Sequence, residues 1–233
     1  PAMAAGMVAG DPDAGLLVIA SLPHERLPEL DAFLDAVFAK VCLPVSVKTR
    51  LGKTTAEGFP ALLELYNDYP IRELIVHPRV QADQYHGQPD LEAFAYALAH
   101  SRAPVCYNGN VFRPEDVNLL PGTERFMLGR GAVMNPALFR ELRGGAALRR
   151  EELREFHDTL LDAYLTCGLD ARAATSRMKE LWFYFGNLFE NSEKLQKSIK
   201  KAKNAEEFER AAAALFRSCE VRGNVVPAWF RPA

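Results

Sequence analysis

The stretch that decides the fold reads Pro44-Val-Ser-Val-Lys-Thr-Arg-Leu-Gly52, a short β-branched run that ends in cationic side chains. Similar apolar runs recur along the chain, and helical stretches separate them. The runs are Val45–Val47, Leu74–Val76, Val105–Tyr107 and Phe126–Leu128, with Leu16–Ser21 as a possible fifth. Strands that alternate with helices predict an α/β fold with a parallel sheet and crossover helices. Because none of these runs alternates between apolar and polar residues, each strand is predicted to be buried on both faces.

Helical periodicity fills the intervals between the strands and then takes over completely. The predicted helices of the first part are Leu30–Lys40, Ala56–Asp68, Leu91–His100 and the shorter Pro114–Leu120. After Pro136 the pattern is helical only, over residues 150–166, 173–189 and 204–218. We therefore predict an α/β domain over residues 1–140 and an all-helical C-terminal domain over residues 141–233, with Gly144-Gly145 in the link.

Polar and glycine-containing segments follow the four clearest strands. They are Lys48-Thr-Arg50, His77-Pro-Arg79, Asn108-Gly-Asn110 and Gly129-Arg-Gly131. In a (β/α)₈ barrel the carboxyl ends of the strands form the ligand-binding rim, so this placement favours a barrel over a doubly wound sheet, although spacing alone leaves both open. Four or five strands are half of what a closed barrel needs. The sequence predicts a partial TIM (β/α) barrel whose open edges and apolar interior favour self-association.

Composition limits the class of protein. Hydrophobic residues make up 48% of the chain and charged residues 25%, as in ordinary soluble domains, and a cytoplasmic protein is expected. Residues 1–139 carry 11 Lys/Arg and 16 Asp/Glu, a net charge of −5, whereas residues 140–233 carry 17 and 14, a net charge of +3. A basic C-terminal module is compatible with a polyanionic partner. The four scattered cysteines form no C-x-x-C pair, which predicts neither a zinc site nor a disulfide framework.

Four segments together resemble the tRNA-dihydrouridine synthase family. Residues 44–52 are similar to the family's P-V-x-V-K-x-R-L-G, and Leu74-Ile-Val-His-Pro-Arg79 with Tyr85-His-Gly87 resembles V-H-x-R…Y-x-G. Residues 104–111 resemble P-V-x-x-N-G-D-I, and residues 127–132 resemble M-I-G-R-G-A. The resemblance is strong over residues 41–139 and looser to about residue 218. It implies the second half of a (β/α) barrel followed by a helical RNA-contacting domain.

The resemblance also implies roles for individual residues. FMN would be held by Lys48, His77, Asn108, Gly109, Asn110, Gly129 and Arg130, the last five around its phosphate. The flipped uridine or nearby RNA would be faced by Arg50, Arg79 and Tyr85, and the tRNA by Arg177 and Lys179 in the helical domain. In this family NADPH reduces the flavin, which passes hydride to a uridine, and a cysteine protonates the base. The base must leave its stack to reach the flavin.

The family's catalytic cysteine lies in an N-x-G-C-P loop, and no such sequence occurs in this chain. Cys106 falls inside a predicted strand and is interpreted as a core residue. Without the general acid we expect the chain alone to lose roughly 10²–10⁴-fold in rate. Two other readings stay open: another FMN barrel oxidoreductase that acts on a small molecule, and a catalytically inactive half-barrel that binds RNA or a partner.

Overall fold

The computed structural model describes residues 4–7, 15–18, 26–84, 87–222 and 225–227. These residues divide into two compact units. The sheet unit comprises the residues up to Asn110 together with Leu120–Leu128, and the helical unit comprises Val111–Leu119 together with the residues from Gly129 onward. The domain boundary predicted between residues 140 and 141 stays a prediction.

The sheet unit contains five strands that follow one another in chain order across one sheet. They are β1 (Ala4–Met7), β2 (Gly15–Val18), β3 (Val45–Gly52), β4 (Glu73–Val80) and β5 (Val105–Tyr107). Strands β2 to β5 run parallel, as the alternating pattern predicts, and β1, which the sequence did not reveal as a strand, pairs antiparallel with β2. The predicted strand Leu16–Ser21 is β2 as far as Val18, and its remaining residues lie outside the described ones.

The predicted strand Phe126–Leu128 is present only as a single parallel bridge between Phe126 and Tyr107. Two backbone hydrogen bonds hold it, from Tyr107 N to Arg125 O (2.9 Å) and from Met127 N to Tyr107 O (2.8 Å). The pairing does not extend further because β5, the strand that residues 126–128 pair with, ends at Tyr107. The strand prediction was therefore right about position and direction and wrong about length.

Three helices accompany the sheet: α1 (Leu27–Phe38), α2 (Phe59–Asn67) and α3 (Leu91–His100). The last has the predicted bounds, and its first turn is capped by the Asp90 carboxylate, which accepts from Ala93 N at 2.9 Å. Tyr66 on α2 donates to Thr49 Oγ1 at 3.1 Å, so α2 covers the face of β3 that carries Thr49. Burial along β3 alternates, contrary to the prediction that each strand is buried on both faces, whereas β4 from Leu74 onward and β5 are buried on both faces, as predicted.

The helical unit is built around aromatic side chains. Its helices are a 3₁₀ turn (Pro114–Leu119), α4 (Arg130–Met134), α5 (Leu138–Glu141), α6 (Arg150–Thr166), α7 (Ala171–Phe185), a second 3₁₀ turn (Gly186–Leu188), α8 (Glu193–Lys201) and α9 (Ala205–Ser218). Trp182 and Phe185 on α7 and Phe208 and Phe216 on α9 are buried in one hydrophobic cluster. One isolated antiparallel bridge joins Phe189 to Val221.

Helix α6 has the predicted bounds, and α8 was not predicted. Among the described residues, no helix combines the length and the apolar character that crossing a bilayer requires.

Candidate cofactor site on the sheet

The register of the sheet places the predicted ligand-binding side chains of β3 and β4 on one face. In the parallel ladder Lys48 pairs with Ile75 and Arg50 with His77, while Ile75 pairs with Cys106 on β5. Paired residues point to the same side, and residues two apart along a strand share a face. This face is opposite to the one that carries Thr49 and meets α2. Lys48, Arg50, His77 and Arg79 therefore lie together on the side of the sheet away from that helix.

Lys48 is half-buried on this face. Burial lowers the pKa of its ammonium, and the neighbouring Arg50 charge lowers it further. A partly desolvated cation gains more from a hydrogen-bond acceptor or an anion than an exposed one does, because the local dielectric screens less. Lys48 is thus suited to hold a polar ligand.

His77 and Arg79 form a buried pair at the carboxyl end of β4. Arg79 Nη1 lies 3.2 Å from His77 Nε2, and Arg79 Nη2 donates to Gly87 O at 2.8 Å. The sequence predicted that Arg79 faces RNA, but its side chain is only 1% exposed. Its guanidinium is directed at the histidine and at the backbone of the following loop, and the RNA-facing role stays a prediction.

Arg50 is directed at the same loop from the adjacent strand. Its Nη1 donates to Val80 O at 2.9 Å and to Gln84 O at 3.2 Å. Arg50 and Arg79 therefore both hold the segment that follows β4, whose backbone includes positive φ at Gln84 and Gly87. Tyr85, the third residue predicted to face the uridine, lies outside the described residues.

The Asn108-Gly-Asn110 segment follows β5 directly. Asn108 N donates to Val76 O on β4. The side-chain Nδ2 of Asn108 donates to Met127 O at 2.8 Å, which connects the segment to the residues beside the Phe126 bridge. A Cβ on Gly109 would lie 2.2 Å from the Tyr107 hydroxyl, so a larger residue does not fit without movement of that ring. Asn110 is half-buried. Glycine at position 109 is therefore a packing requirement.

Gly129 and Arg130 belong to the helical unit. Arg130 is the first residue of α4, and its guanidinium carbon lies 5.8 Å from the centre of the Phe112 ring, a cation–π contact. Nothing lies within 4 Å of a Cβ built on Gly129. The backbone at residue 129 is thus open, while the grouping of both residues with Asn108, Gly109 and Asn110 around one phosphate stays a prediction.

The two residues predicted to lie toward the tRNA have different environments on α7. Arg177 is exposed and pairs with Glu180 at 3.1 Å. Lys179 is half-buried, and its Nζ donates to Ala202 O at the carboxyl end of α8. Arg177 is placed to meet an external ligand, whereas Lys179 holds a neighbouring helix.

Comparison with known proteins identifies the family. The model of the dihydrouridine synthase (Dus) family matches residues 27–228. This chain is a member of the dihydrouridine synthase family. Among curated relatives, tRNA-dihydrouridine synthase B of Vibrio cholerae is 29% identical over 145 residues, which are 58% of this chain and 45% of that protein.

Two further curated relatives are also tRNA-dihydrouridine synthases and match over a similar share of this chain. The tRNA-dihydrouridine synthase B of Shewanella oneidensis is 29% identical over 119 residues, which are 49% of this chain and 37% of that protein. The tRNA-dihydrouridine(16) synthase of Pseudomonas syringae pv. tomato is 30% identical over 114 residues, which are 48% of this chain and 35% of that protein. The matched segment covers less than half the length of these dihydrouridine synthases.

Sequence reasoning missed one ion pair on the same face of the sheet. Glu73, which pairs in register with Ser46, accepts from Arg125 Nη1 at 3.1 Å. Cys106, which pairs in register with Ile75, is buried, and burial first and the Glu73 charge second raise the pKa of its thiol to about 12. The ion pair joins residues 52 apart in the chain, and no local motif marks it. In this family member the ion pair therefore lies toward the amino end of β4, and Arg50, His77 and Arg79 lie toward the carboxyl ends of the strands.

Proposed function

We propose that this chain binds FMN on the sheet face that carries Lys48 and His77, as part of a tRNA-dihydrouridine synthase. The observation that carries the proposal is the register itself, which puts an amine and an imidazole on one face of adjacent strands. Both residues lie within β3 and β4, which are longer than the sequence predicted, and not directly after them. In open α/β sheets and in barrels, ligands bind at the carboxyl ends of the strands, and Arg50, His77 and Arg79 lie in that half of β3 and β4. Membership of the dihydrouridine synthase family supports the flavin as the ligand.

The side chains fit the polar groups of a flavin. Its ring carries carbonyl and nitrogen acceptors, for which Lys48 and His77 supply donors. Its phosphate requires backbone N–H groups and a cation, which Asn108, Gly109, Asn110, Gly129 and Arg130 would supply. The open backbone at Gly129 favours such a role.

The proposed reaction is the reduction of a uridine in tRNA to dihydrouridine. When bound and reduced by NADPH, FMN would supply the hydride for the base. The residues of this chain would orient the two reactants. Lys48 and His77 would fix the flavin ring, and Arg50 and Arg79 hold the segment after β4, from which Tyr85 would face the flipped uridine or nearby RNA. In the helical domain Arg177 contacts the tRNA backbone, and Lys179 keeps α7 and α8 together for it.

Flavin binding is tested by titrating the apo-chain with FMN and recording the visible absorbance. The wild type is expected to shift the flavin band. Lys48→Met is expected to weaken binding by about 10–100-fold, because hydrogen bonds to charged groups contribute about 1.5–3 kcal/mol. Lys53→Met is the matched control, since Lys53 is exposed directly after β3 and the change removes the same charge. Equal affinities of both variants contradict the assignment of Lys48.

A second measurement separates the synthase from the two other readings. The flavin-loaded chain is incubated with NADPH and unmodified tRNA, and dihydrouridine and tRNA binding are measured. Binding of both FMN and tRNA supports the synthase. FMN binding without tRNA affinity favours a small-molecule oxidoreductase, and tRNA or protein binding without FMN favours an inactive half-barrel.

A further inference from the structure

Arg79 is the largest side chain among those almost completely buried, with 1% of its surface exposed. One terminal nitrogen of its guanidinium lies against the ring of His77, two residues earlier on the same strand, and the other donates to Gly87 O. Two contacts from one planar group fix its rotation. A buried arginine is costly unless its donors are used, and these two contacts use a donor on each terminal nitrogen.

The chemistry of the two groups determines the state of the histidine. A guanidinium has five N–H donors and no acceptor, and it stays protonated in proteins. At 3.2 Å from Arg79 Nη1, His77 Nε2 must therefore accept, which requires a lone pair on that nitrogen. An imidazole with a lone pair on Nε2 is neutral and carries its proton on Nδ1.

We propose that Arg79 is a positioning residue that holds His77 as the neutral Nδ1–H tautomer, so that His77 meets the flavin as a hydrogen-bond donor through Nδ1. The flavin part of this statement rests on the proposed function. Arg79 acts through His77 and through the loop carbonyl of Gly87, without touching the reactants. This role differs from the RNA contact that the sequence motif implies, for which a side chain with 1% exposure is poorly placed.

The tautomer is measured directly by long-range ¹H–¹⁵N correlation spectra of the full chain labelled with ¹⁵N-histidine. The chain has five histidines, and the His77 signals are identified by their loss in His77→Gln. The wild type without FMN is expected to show a protonated Nδ1 and an unprotonated Nε2 at His77. His100, whose Nδ1 lies 2.8 Å from the Tyr96 carbonyl, is an internal reference for a ring that donates through Nδ1.

Arg79→Met removes the donors and keeps most of the side-chain stem. We expect the His77 nitrogens to change to the Nε2–H tautomer or to a mixture, while His100 is unchanged. Arg50→Met is the matched control, because Arg50 holds carbonyls of the same loop and makes no hydrogen bond to His77 in the described residues. If loosening of the loop were the cause, both variants would change the His77 signals, and the proposal would be overturned.

A wild-type His77 in the Nε2–H form overturns the positioning role whether or not Arg79→Met folds. FMN titration of the same samples tests the flavin part separately. Arg79→Met is expected to bind FMN about three- to tenfold more weakly, the effect of one misplaced hydrogen bond. If the wild type shows the Nδ1–H tautomer but does not bind FMN, the positioning of His77 by Arg79 is supported. The flavin part of the proposal and the proposed function are then both overturned.

Discussion

The arginine side chains near the carboxyl ends of β3 and β4 make contacts that their sequence motifs did not predict. The K-x-R and H-x-R spacings place Arg50 and Arg79 on the same face as Lys48 and His77, as any strand does for alternate residues. Their guanidinium groups are nonetheless directed at carbonyls of the loop after β4 and at the His77 ring. The spacing predicted which residues share the face, and it could not predict which of them are held by the protein itself.

At the residue scale, Gly109→Ala is expected to destabilise the sheet unit by about 1–3 kcal/mol, the usual cost of overpacking a core. The new methyl group would meet the ring of Tyr107, which is buried and packs edge-on against Phe94 with centroids 4.9 Å apart. Urea unfolding measures the change, and FMN titration is expected to show weaker binding. Gly129→Ala, with open space around its Cβ, should leave the unfolding free energy nearly unchanged. Equal losses in both variants would contradict the packing argument.

At the element scale, helices were predicted more accurately than strands. The bounds of α3 and α6 follow from apolar periodicity, and in the structure the Asp90 carboxylate caps the first turn of α3. Helix α8 was missed because its lysine-rich sequence has little apolar content apart from the buried Ile199 and half-buried Leu195. Its position depends on partners that come from other helices.

One such partner is Lys179, whose ammonium donates to Ala202 O immediately after the last residue of α8. A cation at a helix carboxyl end satisfies a free carbonyl and interacts favourably with the helix dipole. Lys179→Met is therefore expected to lower the free energy of unfolding by about 1 kcal/mol. Thermal denaturation measures it. Arg177→Gln, which breaks an exposed pair with Glu180, should change stability by less than about 0.5 kcal/mol and reduce tRNA affinity instead. Should the two variants denature alike, the capping role of Lys179 is wrong.

At the scale of the whole molecule, stability is expected to depend on pH through His157 on α6. Its ring is 1% exposed and contacts Trp182, Phe208 and Phe216 at centroid distances of 5.5–5.9 Å. Burial lowers the pKa of His157, and the Asp158 carboxylate at 2.8 Å from Nδ1 opposes this only in part. Among the described residues, Nε2 has no hydrogen-bond partner, so protonation would place an uncompensated charge among aromatic rings.

The unfolded chain therefore takes up a proton at His157 before the folded chain does. Stability is fully present above the unfolded pKa of about 6.5 and falls with decreasing pH, by up to about 1.4 kcal/mol per pH unit. Melting temperatures between pH 5 and pH 8, roughly the range over which histidine titrates, measure this. His157→Phe should flatten the dependence, whereas His100→Phe, at an exposed site, should not. A wild type and a His157→Phe variant with parallel pH profiles would refute the assignment.

The sequence by itself determined the family, the α/β class and the parallel direction of β2 to β5. These properties depend on local order along the chain: apolar runs, their separation and motifs of a few residues. The tertiary structure alone decided that β3 has two unequal faces, that Arg79 is buried against His77 and that Glu73 meets Arg125 across 52 residues. Such contacts form only where the strand register and the neighbouring elements bring two side chains within hydrogen-bond distance. A local sequence pattern does not contain that information.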